Sequence, residues 1–245
     1  MQRSIPRLFM PVAIVAAVLP VVAQAAPGAD RKGAAMSRAV AFVGYGTRVV
    51  PKVPFEVGRL SRDADDLVFV HHSAPSRKVL LAPSEKGMGM KIGPGTAAPE
   101  EVFAEIGEVT KTRGWRVEFA SYSIPLLPGL SAWSTKDGTK WTVELTVEGG
   151  KDEDEMIYVE GPFAKGKAPQ LDALVAKDMT IATTTKESVE ATYTVGDAPW
   201  RQRRQLVALK PDGLLLITAQ ASDVRAAQVF SLADELAREV RAAPH

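Results

Sequence analysis

Trp200-Arg201-Gln202-Arg203-Arg204 is the segment whose residue types and spacing best suit recognition. Successive side chains on a strand alternate faces, so Arg201 and Arg203 share one face and Trp200, Gln202 and Arg204 the other. Two guanidinium forks one strand repeat apart, roughly 7 Å, suit a carboxylate or a phosphate. Trp200 adds an amphipathic ring at the start of that strand. Trp200, Arg201 and Arg203 are therefore the expected partner-binding residues. The competing reading is an ordinary exposed face whose arginines are balanced by Glu190 and its neighbours across a hairpin. The binding reading predicts that reversing the charge of Arg201 and Arg203 weakens partner capture at a nearly unchanged melting temperature.

Other chemistries lack the residues they need. His71 and His72 are adjacent, so on a strand they point to opposite faces, and a zinc site needs three or four convergent ligands. Gly87 to Gly95 is rich in glycine, but it has neither the Walker nor the dinucleotide spacing, and Pro94 removes an amide. Asp152-Glu153-Asp154-Glu155 offers oxygens, yet it lacks the Gly and Glu positions of a calcium loop and reads as a solvated charge run. Neither a Gly-x-Ser-x-Gly elbow nor a His-Glu-x-x-His helix occurs in the sequence. No catalytic residue, metal ligand or cofactor is expected.

The elements that would carry these residues can be read from local pattern. Short apolar runs at Val40–Val43, Val49–Val57 and Leu67–Val70 read as strands. Pro51 and Pro54 make the second an edge strand or extended loop. Leu67 to His71 and Lys78 to Leu81 flank a turn and form a hairpin. Ser84 to Ala98 reads as a loop. Pro99 to about Lys111 reads as a helix, with Val102, Phe103, Ile106 and Val109 on one face and Gly114 as its stop. Val117 to Ile124 is a strand, and Leu130–Ser134 and Trp141–Val147 pair across Asp137-Gly138. Met156–Val159 is a further strand. Ala168 to Met179 reads as a helix with Leu171, Leu174 and Val175 inward. Glu187–Val195, Trp200–Leu209 and Leu214–Ala219 are three strands joined by tight turns. Ser222 caps a last helix through Val229, Leu232, Ala233, Leu236 and Val240. Val143, Leu145, Leu216, Leu232 and Leu236 are expected in the core.

The first residues carry an address. Arg3 and Arg7 precede an apolar run from Leu8 to Val22 that ends on Ala23-Gln24-Ala25. A basic head, a short apolar core and small residues at −3 and −1 form a secretory signal, with Ala23 and Ala25 preceding a cut before Ala26. The run is short for a bilayer span of roughly 20 residues and is broken by Pro11 and Pro20. Losing its two arginines takes the formal charge from +1 to −1, which argues against a general nucleic-acid binder. The chain has no cysteine, so disulfides, thiolate metal sites and lipid attachment through an N-terminal Cys are excluded.

Residues Tyr122 to Gly129, the hairpin Val189 to Leu209, Gly213 to Thr218 and Phe230-Ser231-Leu232-Ala233 resemble landmarks of the PsbP-like and DcrB-like α-β-α sandwich domains. The likeness covers residues 117–241. It implies an accessory, assembly or binding module and carries no catalytic residues. Family members often have Gly-Trp just after the first turn's Pro, whereas Leu130-Ser131-Ala132-Trp133 follows Gly129 here.

The resulting expectation is an α+β domain, an antiparallel sheet with flanking helices in the order β-β-β-α-β-β-β-α. It occupies 117–243, after a signal peptide (1–25), a flexible leader (26–39), a strand and loop region (40–98) and a helix with connector (99–116). The expected function is an exported, non-enzymatic binding or accessory module of the bacterial envelope, periplasmic or secreted, contacting a protein or envelope component. The alternatives are a lipid or small-ligand carrier using a helix–sheet cleft, and a hydrolase with an unrecognised site.

Overall fold

The computed structural model describes residues 39–51, 58–71, 78–83, 90–92, 99–109, 114–137, 140–149, 155–164, 166–211 and 213–242. The signal residues Ala23, Ala25 and Ala26, the leader up to residue 38, His72, most of the glycine-rich stretch and Asp152 to Asp154 lie outside them, as do the side chains of His71 and Val143; the last residue of the expected leader, Ala39, opens the first strand.

The chain begins with β1 (Ala39–Gly44), β2 (Thr47–Pro51), β3 (Gly58–Asp63), β4 (Asp66–His71), β5 (Lys78–Pro83) and β6 (Met90–Ile92). One helical turn, α1 (Pro99–Val102), leads into β7 (Phe103–Glu108), β8 (Arg116–Phe119), β9 (Tyr122–Pro125), β10 (Leu130–Asp137), β11 (Lys140–Val147) and β12 (Met156–Ala164). Then come β13 (Thr180–Thr184), β14 (Ser188–Val195), β15 (Ala198–Leu209), β16 (Gly213–Ser222), the helix α2 (Ala226–Arg238) and β17 (Arg241–Ala242). Six strands form one sheet in the order β17-β9-β8-β1-β2-β7, and eleven form another in the order β13-β14-β15-β16-β12-β11-β10-β3-β4-β5-β6. Every pairing between described strands is antiparallel.

This is a mostly β protein, and the expected α+β sandwich with flanking helices is wrong. Of the two helices expected before the last one, the first is a single turn that becomes a strand. Phe103–Glu108 pairs along β2, with Val49 opposite Ile106, and Ile106 is 45% exposed rather than inward. The apolar spacing there spans too few residues for a helix, Gly107 weakens one, and β2 offers a full ladder of backbone partners. The second expected helix is a 3-10 turn at Asp172–Leu174 in an otherwise non-helical segment. A 3-10 turn brings positions i and i+3 onto one side, which imitates helical spacing. Leu171, Leu174 and Val175 do pack inward, against Val189 and Leu216.

Three further details differ. Val117 to Ile124 is two strands, which reverse at Ala120-Ser121 and pair antiparallel with Val117 opposite Ile124; the first buries alternate residues and the second all four. The Val49 segment lies inside the six-stranded sheet between β1 and β7, with Pro51 at its end, where a missing N–H costs little. Met90–Ile92, in the stretch expected to be a loop, adds a strand to β5. Within the expected strand and loop region, β1 and β2 pair into one sheet and β3 to β6 into the other, so the described residues there belong to the same two sheets as the rest.

One core joins the layers. Residues directly opposite in a ladder share a face, and a row of such partners crosses the large sheet: Arg203, Ala219, Ile157, Leu145, Ala132, Leu60, Phe69 and Val79. All of these but Arg203 are buried. Phe42, Val49 and Val117 of the small sheet and Val229, Phe230, Ala233 and Leu236 of α2 complete the same cluster. The small sheet and α2 therefore lie side by side over one face of the large sheet. Leu145, Leu216 and Leu236 are core as expected, and Leu232 is partly buried against it. No helix among the described residues is long and apolar enough to cross a membrane.

Candidate functional site

Arg201 and Arg203 do project from one face of β15, but that face is the one α2 covers. Arg203 opposes Ala219 and Arg201 opposes Ala221 on β16, and these small residues let the helix approach. Arg203 Nη2 donates to Asp234 Oδ1 and to the Phe230 carbonyl, both at 2.7 Å, and its guanidinium lies 4.7 Å from the Phe230 ring centre. Arg201 is hydrogen-bonded and ion-paired to Glu190 on β14, with Asp223 at 3.9 Å. Trp200 is 3% exposed, facing away from α2 beside Tyr193. Arg204, on the same side as Trp200, donates to the Leu174 carbonyl and pins the 3-10 segment. Burial lowers its pKa, with Glu160 opposing. The basic strand is thus used internally, to tie a helix to one face and a loop to the other. Ser222 does not cap α2; its hydroxyl donates to Glu155 Oε1 at 2.7 Å, and Arg225 is the N-cap residue.

This geometry reverses the expected behaviour of the arginine pair. Arg203→Ala should lower stability by about 1–2 kcal/mol, because charge-assisted bonds to the helix are lost from a partly buried position. Urea unfolding measures it, and an unchanged midpoint would show that Arg203 is ordinary surface.

A different group of arginines lines an open cleft of about 430 Å³ where α2 ends against the small sheet. Its walls hold Arg62 of β3, Arg116 of β8, Arg238 at the end of α2 and Arg241 of β17, together with Glu235 and Glu239. Trp115, Pro125 and Leu127 form its apolar part. Trp115 is 2% exposed, its Nε1 donates to the Asp65 carbonyl at 2.8 Å, and Tyr45 packs edge-on at 6.1 Å. The indole sits so close to β1 that a Cβ on Gly44 would lie 2.6 Å from it, so only glycine fits there. Gly114, at φ +69, turns the chain into Trp115 through a conformation that L side chains rarely adopt.

Arg116 is the centre of this arrangement. Its Nε donates to Ser123 Oγ at 3.0 Å, and its Nη2 to the carbonyls of Ser123 at 3.0 Å and Glu239 at 2.6 Å. It therefore holds neutral acceptors, and no carboxylate lies within ion-pair distance among the described residues. Its Nη1 has no partner among them. Burial, and then the like charge of Arg241, lower its pKa to about 10, while Glu239 opposes the shift. It remains charged at neutral pH. Arg241 pairs with Glu239 at 3.1 Å and Arg62 with Asp65 at 3.6 Å. Arg238 has no ion-pair partner among the described residues. Such a cleft suits an anion, since charge-assisted bonds to guanidinium forks are among the stronger polar contacts.

Sequence reasoning missed this cleft. Its arginines are scattered along the chain and form no motif; the one available signal is Arg238 and Arg241 bracketing the end of a helix, a placement that helix electrostatics already favours. The helix–sheet interface itself, where a carrier cleft was an alternative, is filled by Val229, Phe230, Ala233 and Leu236. No family model matches the chain, and neither a curated protein nor a solved structure is similar to it.

Proposed function

We propose that this protein is an exported, non-enzymatic binding module of the bacterial envelope that grips a protein or envelope component through the arginine cleft. The observation that carries the reading is Arg116, a half-buried guanidinium whose hydrogen-bond partners are neutral oxygens, opening onto a cleft that also holds Arg238. A partly desolvated guanidinium with a free N–H edge gains by meeting an anion. The signal-like N-terminus supports export.

The test uses the processed chain and isolated envelope fractions. Wild-type protein should bind them saturably, less so as salt rises, and Arg238→Glu with Arg241→Glu should reduce binding at least tenfold. Both side chains are exposed, so the melting temperature should stay within a degree or two, as surface changes usually do. Equal binding by the double variant would overturn the reading.

A further inference from the structure

Which anion the cleft accepts follows from how its guanidiniums are engaged. Arg62 and Arg241 each already lean on a carboxylate, Asp65 and Glu239. Arg116 and Arg238 do not, and they come from different elements, β8 and the last turn of α2. A planar carboxylate presents one edge of two oxygens, which one fork can occupy. Arg238 can offer a whole fork, whereas Arg116, with Nε and Nη2 already donating, offers Nη1 alone; a tetrahedral phosphate monoester, with three terminal oxygens and up to two charges, can meet both at once.

Two features of the walls work against an anion and are offset by the arginines. Glu235 lines the cleft and repels an anion in proportion to its charge, so the guanidiniums must outweigh it. The carbonyl end of α2 also carries partial negative charge. Arg116 offsets part of it by donating to the Glu239 carbonyl. Pro125 and Leu127, both buried, form an apolar part of the cleft wall.

We infer that the cleft is a phosphate-monoester site in which Arg116 and Arg238 receive the terminal oxygens, with Arg62 and Arg241 as flanking charges. The inference rests on the cleft being the binding site proposed above. The phosphate belongs either to a soluble small molecule or to a lipid headgroup, and the two are separated by experiment. Because the second ionisation of a phosphate monoester has a pKa of about 6, binding should strengthen as pH rises from 5 to 7.5. Over that range the four arginines stay charged.

The processed chain is titrated with glycerol 3-phosphate by calorimetry, and in parallel floated with vesicles of phosphatidylcholine containing either phosphatidic acid or phosphatidylglycerol. The soluble source predicts saturable binding of glycerol 3-phosphate. The lipid source predicts flotation with phosphatidic acid but much less with phosphatidylglycerol, whose diester has one charge. In either case Arg238→Gln with Arg241→Gln should weaken binding at least tenfold, and lowering the pH from 7.5 to 5 should weaken it by up to about tenfold. The inference is overturned if neither probe binds, if the variant binds as well as wild type, or if phosphatidylglycerol serves as well as phosphatidic acid. If envelope binding still depends on the cleft in that event, only the ligand assignment falls. If that dependence is lost too, the functional reading falls with it.

Discussion

Replacing Leu236 by Ala should lower the unfolding free energy by about 2–5 kcal/mol, the range for deleting a fully buried leucine side chain. Leu236 has no exposed surface and packs in the core shared by the helix and both sheets. It also lies in the last turn of α2, between Glu235 and Arg238 of the cleft wall. The loss should appear as a lower denaturant midpoint with little change in slope. A loss under about 1 kcal/mol would mean that the end of the helix does not seal the core as described.

An effect of similar size is expected from Arg225→Ala, for an electrostatic reason. Arg225 Nη1 lies 2.7 Å from Glu155 Oε2, and the Glu155 side chain is only 4% exposed. Arg225 also donates to the Glu148 carbonyl at 2.9 Å. Removing the guanidinium leaves a buried carboxylate with the Ser222 hydroxyl as its remaining donor, a change that typically costs about 3–5 kcal/mol. Replacing both partners by apolar residues, Glu155→Leu with Arg225→Met, should cost less than the sum of the single changes. A double-mutant cycle reads that difference, and strict additivity would show that the pair is not coupled.

Glu155 shows how far reading the chain by itself reaches. It stands last in an acidic run expected to be solvated, yet it is buried under the start of α2. No local pattern separates it from Asp152 to Asp154, because its burial depends on Arg225, far along the chain. The same holds for Arg116, whose donors reach the end of α2. Arg201 was anticipated more closely: Glu190 was expected across the hairpin, and it is there. What the hairpin could not reveal is that α2 lies over Arg203.

By itself the sequence determined the features that arise between neighbours. The β14–β15 and β15–β16 turns, the β4–β5 and β10–β11 pairings, the alternation of Arg201 with Gln202, and the amphipathic face of α2 all follow from turn chemistry and from periods of two or 3.6 residues. Only the tertiary structure decided which strands share a sheet, that 103–108 is a strand, and that four distant arginines meet at one cleft. Backbone ladders and apolar faces are satisfied by whichever partner the whole chain brings alongside, so a short helix-like spacing at Val102–Val109 yields when β2 offers an open edge.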